Sequence, residues 1–257
     1  MKRKYLFLSL FVVFAAQISL SAMAIFRITE QQEIAVGRDA ANQVVKQSKL
    51  NTNKDVNAYI TRVGNKLAQN STRTNIAYNF RVIESSQINA FALPGGFIFI
   101  YSGLIKSADT ENEFIGVLAH EVGHVAGHHS VQQIARAQKA NLALGAAGLL
   151  LGGMKHGATL FNGAKLATQG VFLKFSRDHE READRLGAQM MYNAGWNPNG
   201  MVDFFDDLAK KGNSGVSFFS THPSPAERRS NISDLIASWG NKGTVDSPEF
   251  QKIKKLV

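Results

Sequence analysis

No cysteine occurs anywhere in the chain. Disulfides are therefore excluded, and stability has to come from a buried core and whatever help a metal ion provides. No side chain is present to carry the lipid of a bacterial lipoprotein. No internal repeat of solenoid period is found, which excludes a stacked-repeat architecture. Basic residues outnumber acidic ones, 29 to 20, for a formal charge of +9. Yet no compact Lys/Arg cluster interleaved with aromatics stands out, so no nucleic-acid partner is expected. Beyond the first two dozen residues there is no apolar run of the roughly 20 residues needed to cross a bilayer. Leu142 to Leu151 reaches about half of that length.

What the chain does contain begins with a leader. Residues 1–24 read MKRKYLFLSLFVVFAAQISLSAMA. Lys2, Arg3 and Lys4 precede an apolar stretch from Tyr5 to Ala16, and Ala22-Met23-Ala24 has the small-x-small form of a signal-peptidase site. This pattern predicts a secretory signal peptide cleaved after Ala24, rather than an uncleaved anchor with a longer apolar stretch. The expected product is one exported domain, residues 25–257. Losing the three leader cations takes the formal charge from +9 to +6, a surplus that suits work near anionic envelope surfaces. With 44% hydrophobic residues, the chain can bury a real core.

Periodicity sketches an α+β fold, mostly helical with one small β-sheet. Thr29-Glu30-Gln31-Gln32 reads as a capping box that opens a helix to about Val45, and a second helix is expected over Val56–Ala68. Tyr78–Glu84 alternates like a strand, with Phe80, Val82 and Glu84 on one side. In Asn89–Tyr101 a Pro94-Gly95-Gly96 turn separates two extended pieces, of which Phe97–Tyr101 is strongly β-prone. Thr110-Glu111-Asn112-Glu113 reads as another capping box, opening one long helix expected to continue towards Ala140. Leu142–Gly153 is apolar and glycine-rich, with looser sequence to Gly170. Helices follow over Ser176–Ala194, over Pro198–Lys211, and from Ser224-Pro225 to Trp239-Gly240.

The predicted long helix carries HEVGHVAGHHS, His120 to Ser130. His120 and His124 are four apart, about 400° of rotation, so both imidazoles leave one face. Glu121 lies about 100° further round, at the edge of that face. His-Glu-x-x-His is the arrangement in which two imidazoles bind Zn²⁺ and the glutamate takes the proton of the attacking water. The bland alternative is a pair of partly buried histidines on a structural helix. The third ligand has two candidate sources. Six residues beyond His124 stands Ser130, which is not a ligand. If the helix continues, His129 points about 180° from the zinc face, and His128 lies about 80° from it, one turn too far along. Both are read as surface residues or outer supports of the ligands. The other source is Ser176-Arg-Asp-His-Glu-Arg-Glu-Ala-Asp-Arg-Leu-Gly187. There Glu180 and Asp184 share a face, and Ala183 is small enough for two helices to approach. Glu180 can ligate while Asp184 accepts the free N–H of a ligand histidine.

These two motifs, together with NAFALPGGFIFIYSGLI and STHPSPAERR (Ser220 to Arg229), resemble the zinc metallopeptidase family of HtpX and the CAAX prenyl proteases. The likeness is closer to its exported bacterial branch, which includes the catalytic domain of the β-barrel assembly-enhancing protease. It covers roughly Ile28 to Trp239. The resemblance implies a zincin-like fold, one Zn²⁺ per chain held by His120, His124 and Glu180, Glu121 as general base, and Asp184 as the support of a ligand histidine. His222 matches a family histidine near the metal. It either stabilises the oxyanion of the tetrahedral intermediate or fills the open metal position and holds the enzyme inactive. Arg228 is a candidate for substrate or intermediate binding, with a surface salt bridge as its equal rival.

The residues Phe97, Ile98 and Phe99 are candidates for pairing an extended substrate along an open strand edge. Asn141 to Gly170 is read first as a lid, second as a membrane-surface contact and third as a loose core connection. The implied function is a periplasmic zinc endopeptidase acting on unfolded or misassembled envelope proteins. The alternative is a self-plugged, chaperone-like assembly factor with little turnover. About one tetratricopeptide unit's length follows His222, so docking through a repeat array is not expected.

Overall fold

The computed structural model describes residues 28–150, 175–211, 218–222, 225–240 and 242–257. The expected leader, residues 1–24, and most of the glycine-rich stretch, residues 151–170, lie outside the described residues. Helix α1 (Glu30–Gln47) starts where the sequence places it: Gln32 N donates to Thr29 Oγ1, and Thr29 N donates back to Gln32 Oε1. Helix α2 (Lys54–Gln69) is capped by Asn53, whose side chain accepts from the backbone N–H groups of Asp55 and Val56. Its Val56, Ile60, Val63 and Leu67 recur at helical spacing and are buried.

Three strands follow: β1 (Asn79–Ile83), β2 (Ala90–Leu93) and β3 (Phe97–Tyr101), in the spatial order β1-β3-β2. β3 runs parallel to β1 and antiparallel to β2. The hairpin between β2 and β3 turns through Pro94–Gly96, where Gly95 and Gly96 take φ of +72° and +93°. A side chain is disfavoured at such angles, so the two glycines set the register of the pair. Alternation then sorts the faces. Ala90, Ala92, Ile98 and Ile100 face the main core, while Phe91, Leu93 and Phe99 pack with Ala40 and Ala41 of α1.

The rest is helical: α3 (Ser102–Ser107), α4 (Glu111–Ala126), α5 (His129–Leu150), α6 (Arg177–Ala194), α7 (Gly200–Lys211), α8 (Phe218–Thr221), α9 (Pro225–Ile236) and α10 (Pro248–Lys254). Every residue of α4 is buried, so this helix is the axis of the fold. It crosses α6 very closely. A Cβ on Gly123 would come within 2.6 Å of the Ala183 carbonyl oxygen, and one on Gly187 within 3.1 Å of that of Ala119. Small residues at both crossing points let the two backbones meet. No described helix is long and apolar enough to cross a membrane.

Three expectations need correction. Phe97–Tyr101 presents no open edge, because β3 is the central strand and is paired on both sides; it became central when the hairpin folded β2 onto its far side. Phe97, Ile98 and Phe99 therefore cannot pair a substrate by strand addition. The long helix towards Ala140 is in fact two helices. α4 ends at Gly127, and His128 takes a left-handed φ of +54° before α5 begins. The Thr110 capping box does not close. Glu113 Oε2 accepts from Asp109 N instead, and Glu111 N is capped by Asp246 Oδ1 from the far end of the chain.

Candidate metal centre

The α4–α6 crossing decides which side chains meet. His120 and His124, one turn apart on α4, face Glu180 and Asp184, one turn apart on α6. α6 is fixed by its own cap, with His179 N donating to Ser176 Oγ. The segment from Phe218 to His222 lies over the same spot. Phe218 N donates to the Ile88 carbonyl, and the Phe218 ring stacks on His222 at 4.5 Å between centroids.

Four ligand-type groups converge, those of His120, His124, Glu180 and His222, and their ligand atoms lie within 4.8 Å of one another. His120 Nε2 is 2.9 Å from His124 Nε2 and 3.1 Å from His222 Nδ1. The Glu180 oxygens lie 3.4 Å from His120, 3.5 Å from His124 and 3.1 Å from His222. A tetrahedron with bonds of about 2.0–2.1 Å has edges of about 3.4 Å, so this donor set suits a zinc-sized ion. The chemistry also fits. Three imidazole nitrogens aimed at one point, with one carboxylate among them, are mutually repulsive unless a cation or protons lie between them.

Around these, Asp184 Oδ1 lies 2.8 Å from His120 Nδ1. Arg228 donates to both Asp184 oxygens at 2.7 and 2.6 Å and sits 2.9 Å from Glu180 Oε2. Arg228 is only 2% exposed, with its guanidinium over the Phe205 ring at 4.7 Å. Arg228 does form ion pairs, but buried ones beside His120 rather than the surface salt bridge that was its alternative reading. Met201, Phe204, Phe205 and Phe218 form an apolar wall beside His120.

Charge follows from this packing. Burial and the Arg228 charge press His120 towards neutrality, but the Asp184 and Glu180 carboxylates outweigh them and push it up to about 9. Burial holds His124 well below its ordinary value, with the neighbouring His120 adding to the effect. Burial works against Glu180, but His222, His120 and His124 hold it far below the usual carboxylate range. Asp184 is likewise buried and likewise held down, by Arg228. Glu121 goes the other way. Burial raises it, only partly offset by His222 and His120. Glu121 is fully buried, and neither of its oxygens has a hydrogen-bond partner among the described residues. Its Oε1 is 3.4 Å from His222 Nε2.

The spacing argument misplaced His129. It does not point away from the ligands. Its Nδ1 lies 2.9 Å from His124 Nδ1, and its ring is fully buried. The helix break at Gly127–His128 caused the difference, and glycine followed by two histidines was the signal for it. Phe175, which stacks on His124 at 3.9 Å, was not anticipated either. His128 is half exposed, 3.6 Å from Glu33.

Comparison with known proteins gives consistent matches. Residues 54–236 match Peptidase family M48. The chain is 31% identical over 234 residues to the beta-barrel assembly-enhancing protease of Yersinia pestis, covering 88% of this chain and 48% of that protein. It is 32% identical over 204 residues to the metalloprotease YcaL of Escherichia coli K12, covering 78% of this chain and 76% of that one. It is 33% identical over 184 residues to the mitochondrial metalloendopeptidase OMA1 of Schizosaccharomyces pombe, covering 69% and 52%. The chain spans about half the length of the assembly-enhancing proteases it matches. A match over residues 54–236, the segment that contains this centre, together with relatives at 31–33% identity, shows that the chain belongs to peptidase family M48.

Proposed function

We propose that the chain is a zinc-dependent endopeptidase of the bacterial periplasm, with one zinc per chain, that cuts unfolded or misassembled envelope proteins. The observation that carries the chemistry is Glu121. A buried carboxylate with no hydrogen-bond partner is destabilising by about 1–3 kcal/mol or more, and such a group is retained where a reaction uses it. Here it stands next to a convergent His₃Glu set.

Zinc bound by His120, His124 and Glu180 would supply Lewis acidity, polarising the scissile carbonyl and lowering the pKa of the attacking water. Glu121 takes the water proton on a carboxylate oxygen and hands it to the leaving amine. Its raised pKa brings it closer to the range in which a general base can also return the proton. Asp184 accepts the Nδ1 hydrogen of His120, which keeps Nε2 free as a donor to the metal. Arg228 fixes Asp184 and Glu180 against each other.

His222 accounts for a second reading. Its Nδ1 lies within the ligand set, 3.1 Å from both His120 Nε2 and Glu180 Oε1. With all four donors on a bound zinc no position would stay open, so turnover would require His222 to withdraw. A protein that rarely withdrew it would act as a self-plugged, chaperone-like assembly factor. The competing role for His222, stabilising the oxyanion, would need its ring outside the ligand set.

Export is supported by the leader-like residues 1–24, and the envelope substrates by the names of the assembly-enhancing relatives. The strand edge suited to an extended substrate belongs to β2, which packs on α4 and has no strand on its outer side among the described residues. The test is metal analysis of purified protein together with casein cleavage. One zinc per chain and chelator-sensitive cleavage are expected. Cleavage that survives complete metal removal would refute the zinc mechanism.

A further inference from the structure

The turn between α4 and α5 is built around His129 in a way that a surface histidine would not need. Gly127 carries no side chain, and a Cβ there would collide with the His129 imidazole. His128 takes φ +54°, a left-handed conformation that a residue with a Cβ disfavours. It redirects the chain so that His129 turns back under α4. His179 then stacks flat on the ring, with centroids 4.5 Å apart and planes 10° apart, and is itself held by Gln132 Oε1 at 3.1 Å. His129 Nδ1 faces His124 Nδ1 at 2.9 Å, and His129 Nε2 faces Glu182 Oε2 at 3.3 Å.

Counting hydrogens leaves one arrangement. If His124 offers the Nε2 lone pair to an ion, its hydrogen is on Nδ1. That hydrogen points at His129 Nδ1, which must be bare to accept it. The His129 hydrogen is then on Nε2, pointing at a carboxylate that only accepts. Each hydrogen in the row has a partner and no lone pair opposes another. We propose that His129, backed by Glu182, is the positioning residue for His124, fixing its tautomer and ring angle as Asp184 does for His120. The two supports differ in charge. Asp184 brings a buried anion that Arg228 must balance. His129 is neutral in this arrangement, and the anion behind it sits on a side chain 46% exposed. The centre thus gains a second support without a second buried carboxylate.

This inference rests on the zinc reading above. The test is zinc affinity of the full chain, measured by competition with a chromophoric chelator, alongside thermal unfolding. His129→Leu keeps bulk and burial but removes the acceptor. His129→Asn returns an acceptor oxygen near the position of Nδ1. The leucine variant should bind zinc roughly 10- to 100-fold more weakly, and the asparagine variant should recover most of that loss. Glu182→Ala, at a half-exposed position, should weaken zinc binding about 3-fold. A folded His129→Leu protein with wild-type zinc affinity overturns the proposal, and so does an asparagine variant no better than the leucine one. If His129→Leu does not fold, Glu182→Ala decides: reduced affinity supports the relay and unchanged affinity overturns it. A wild-type chain that binds no zinc overturns the zinc reading together with the relay, whereas loss of the relay alone leaves wild-type binding intact.

Discussion

Replacing Arg228 with methionine removes a buried cation and leaves two buried carboxylates behind. Its guanidinium touches both oxygens of Asp184 and one of Glu180, all within 3 Å, and solvent reaches none of the three side chains to more than 3%. Breaking a buried ion pair by removing one partner typically costs about 3–5 kcal/mol, because the surviving charge stays desolvated. For a domain of this size, about 2–4 °C of melting temperature is lost per kcal/mol, which predicts a drop of roughly 6–20 °C in chelated Arg228→Met protein. Zinc should return part of it. An ion beside Glu180 supplies the lost positive charge, so the melting-temperature gain on adding zinc should be larger in the variant than in the wild type. Combining Arg228→Met with Asp184→Asn should cost less than the sum of the two, with a coupling of about 1–3 kcal/mol. Calorimetric scans with and without chelator measure all of this. A chelated Arg228→Met protein that melts within 2 °C of the wild type would show that the ion pairs add nothing net.

Glu121→Gln should lower casein cleavage by roughly 10²–10⁴-fold while zinc content stays at the wild-type level. His222→Ala should raise basal cleavage, since it opens a position in the ligand set; a loss instead would support the oxyanion role. Gly123→Val should destabilise the protein by more than about 1–3 kcal/mol and lower zinc affinity, because the new side chain meets the Ala183 backbone and drives α6 away. In metal-free protein His120 is raised from 6.5 to about 9, so its contribution is fully present below pH 6.5 and fades as pH rises to 9. Melting scans of chelated protein should therefore show falling stability over that window, by up to about 3 kcal/mol. Zinc affinity should rise over the same window as the competing proton leaves. A flat profile would mean that His120 is not charged in the folded metal-free protein.

Much of the fold was readable because its elements are local. The Thr29–Gln32 box, the Pro94–Gly96 turn and the Ser176–Ala194 helix, which ends at a left-handed Gly195, each depend on a few neighbouring residues. α10 went unseen because it is short, although Ser247-Pro248 carries the same cap-and-proline signal as Ser224-Pro225; its Phe250 is held by Tyr59 and Phe114, far away in sequence. The Thr110 box went wrong for a similar reason. Asp246 competes for the cap from over a hundred residues away. At the site, Arg228 was singled out only through its resemblance motif, and nothing around it in sequence marks it as buried beside Asp184 and Glu180.

His120, Glu121 and His124 could be placed together from sequence alone, because one helical turn fixes their relation whatever surrounds them. So could Glu180 and Asp184. Only the tertiary structure decided what each of them faces. The close crossing of α4 and α6 brings the two pairs together, the α8 segment brings His222 into the ligand set, and one left-handed residue turns His129 inwards. Those outcomes depend on backbone approach and on competition among distant partners for the same hydrogen bond, and helical periodicity carries no information about either.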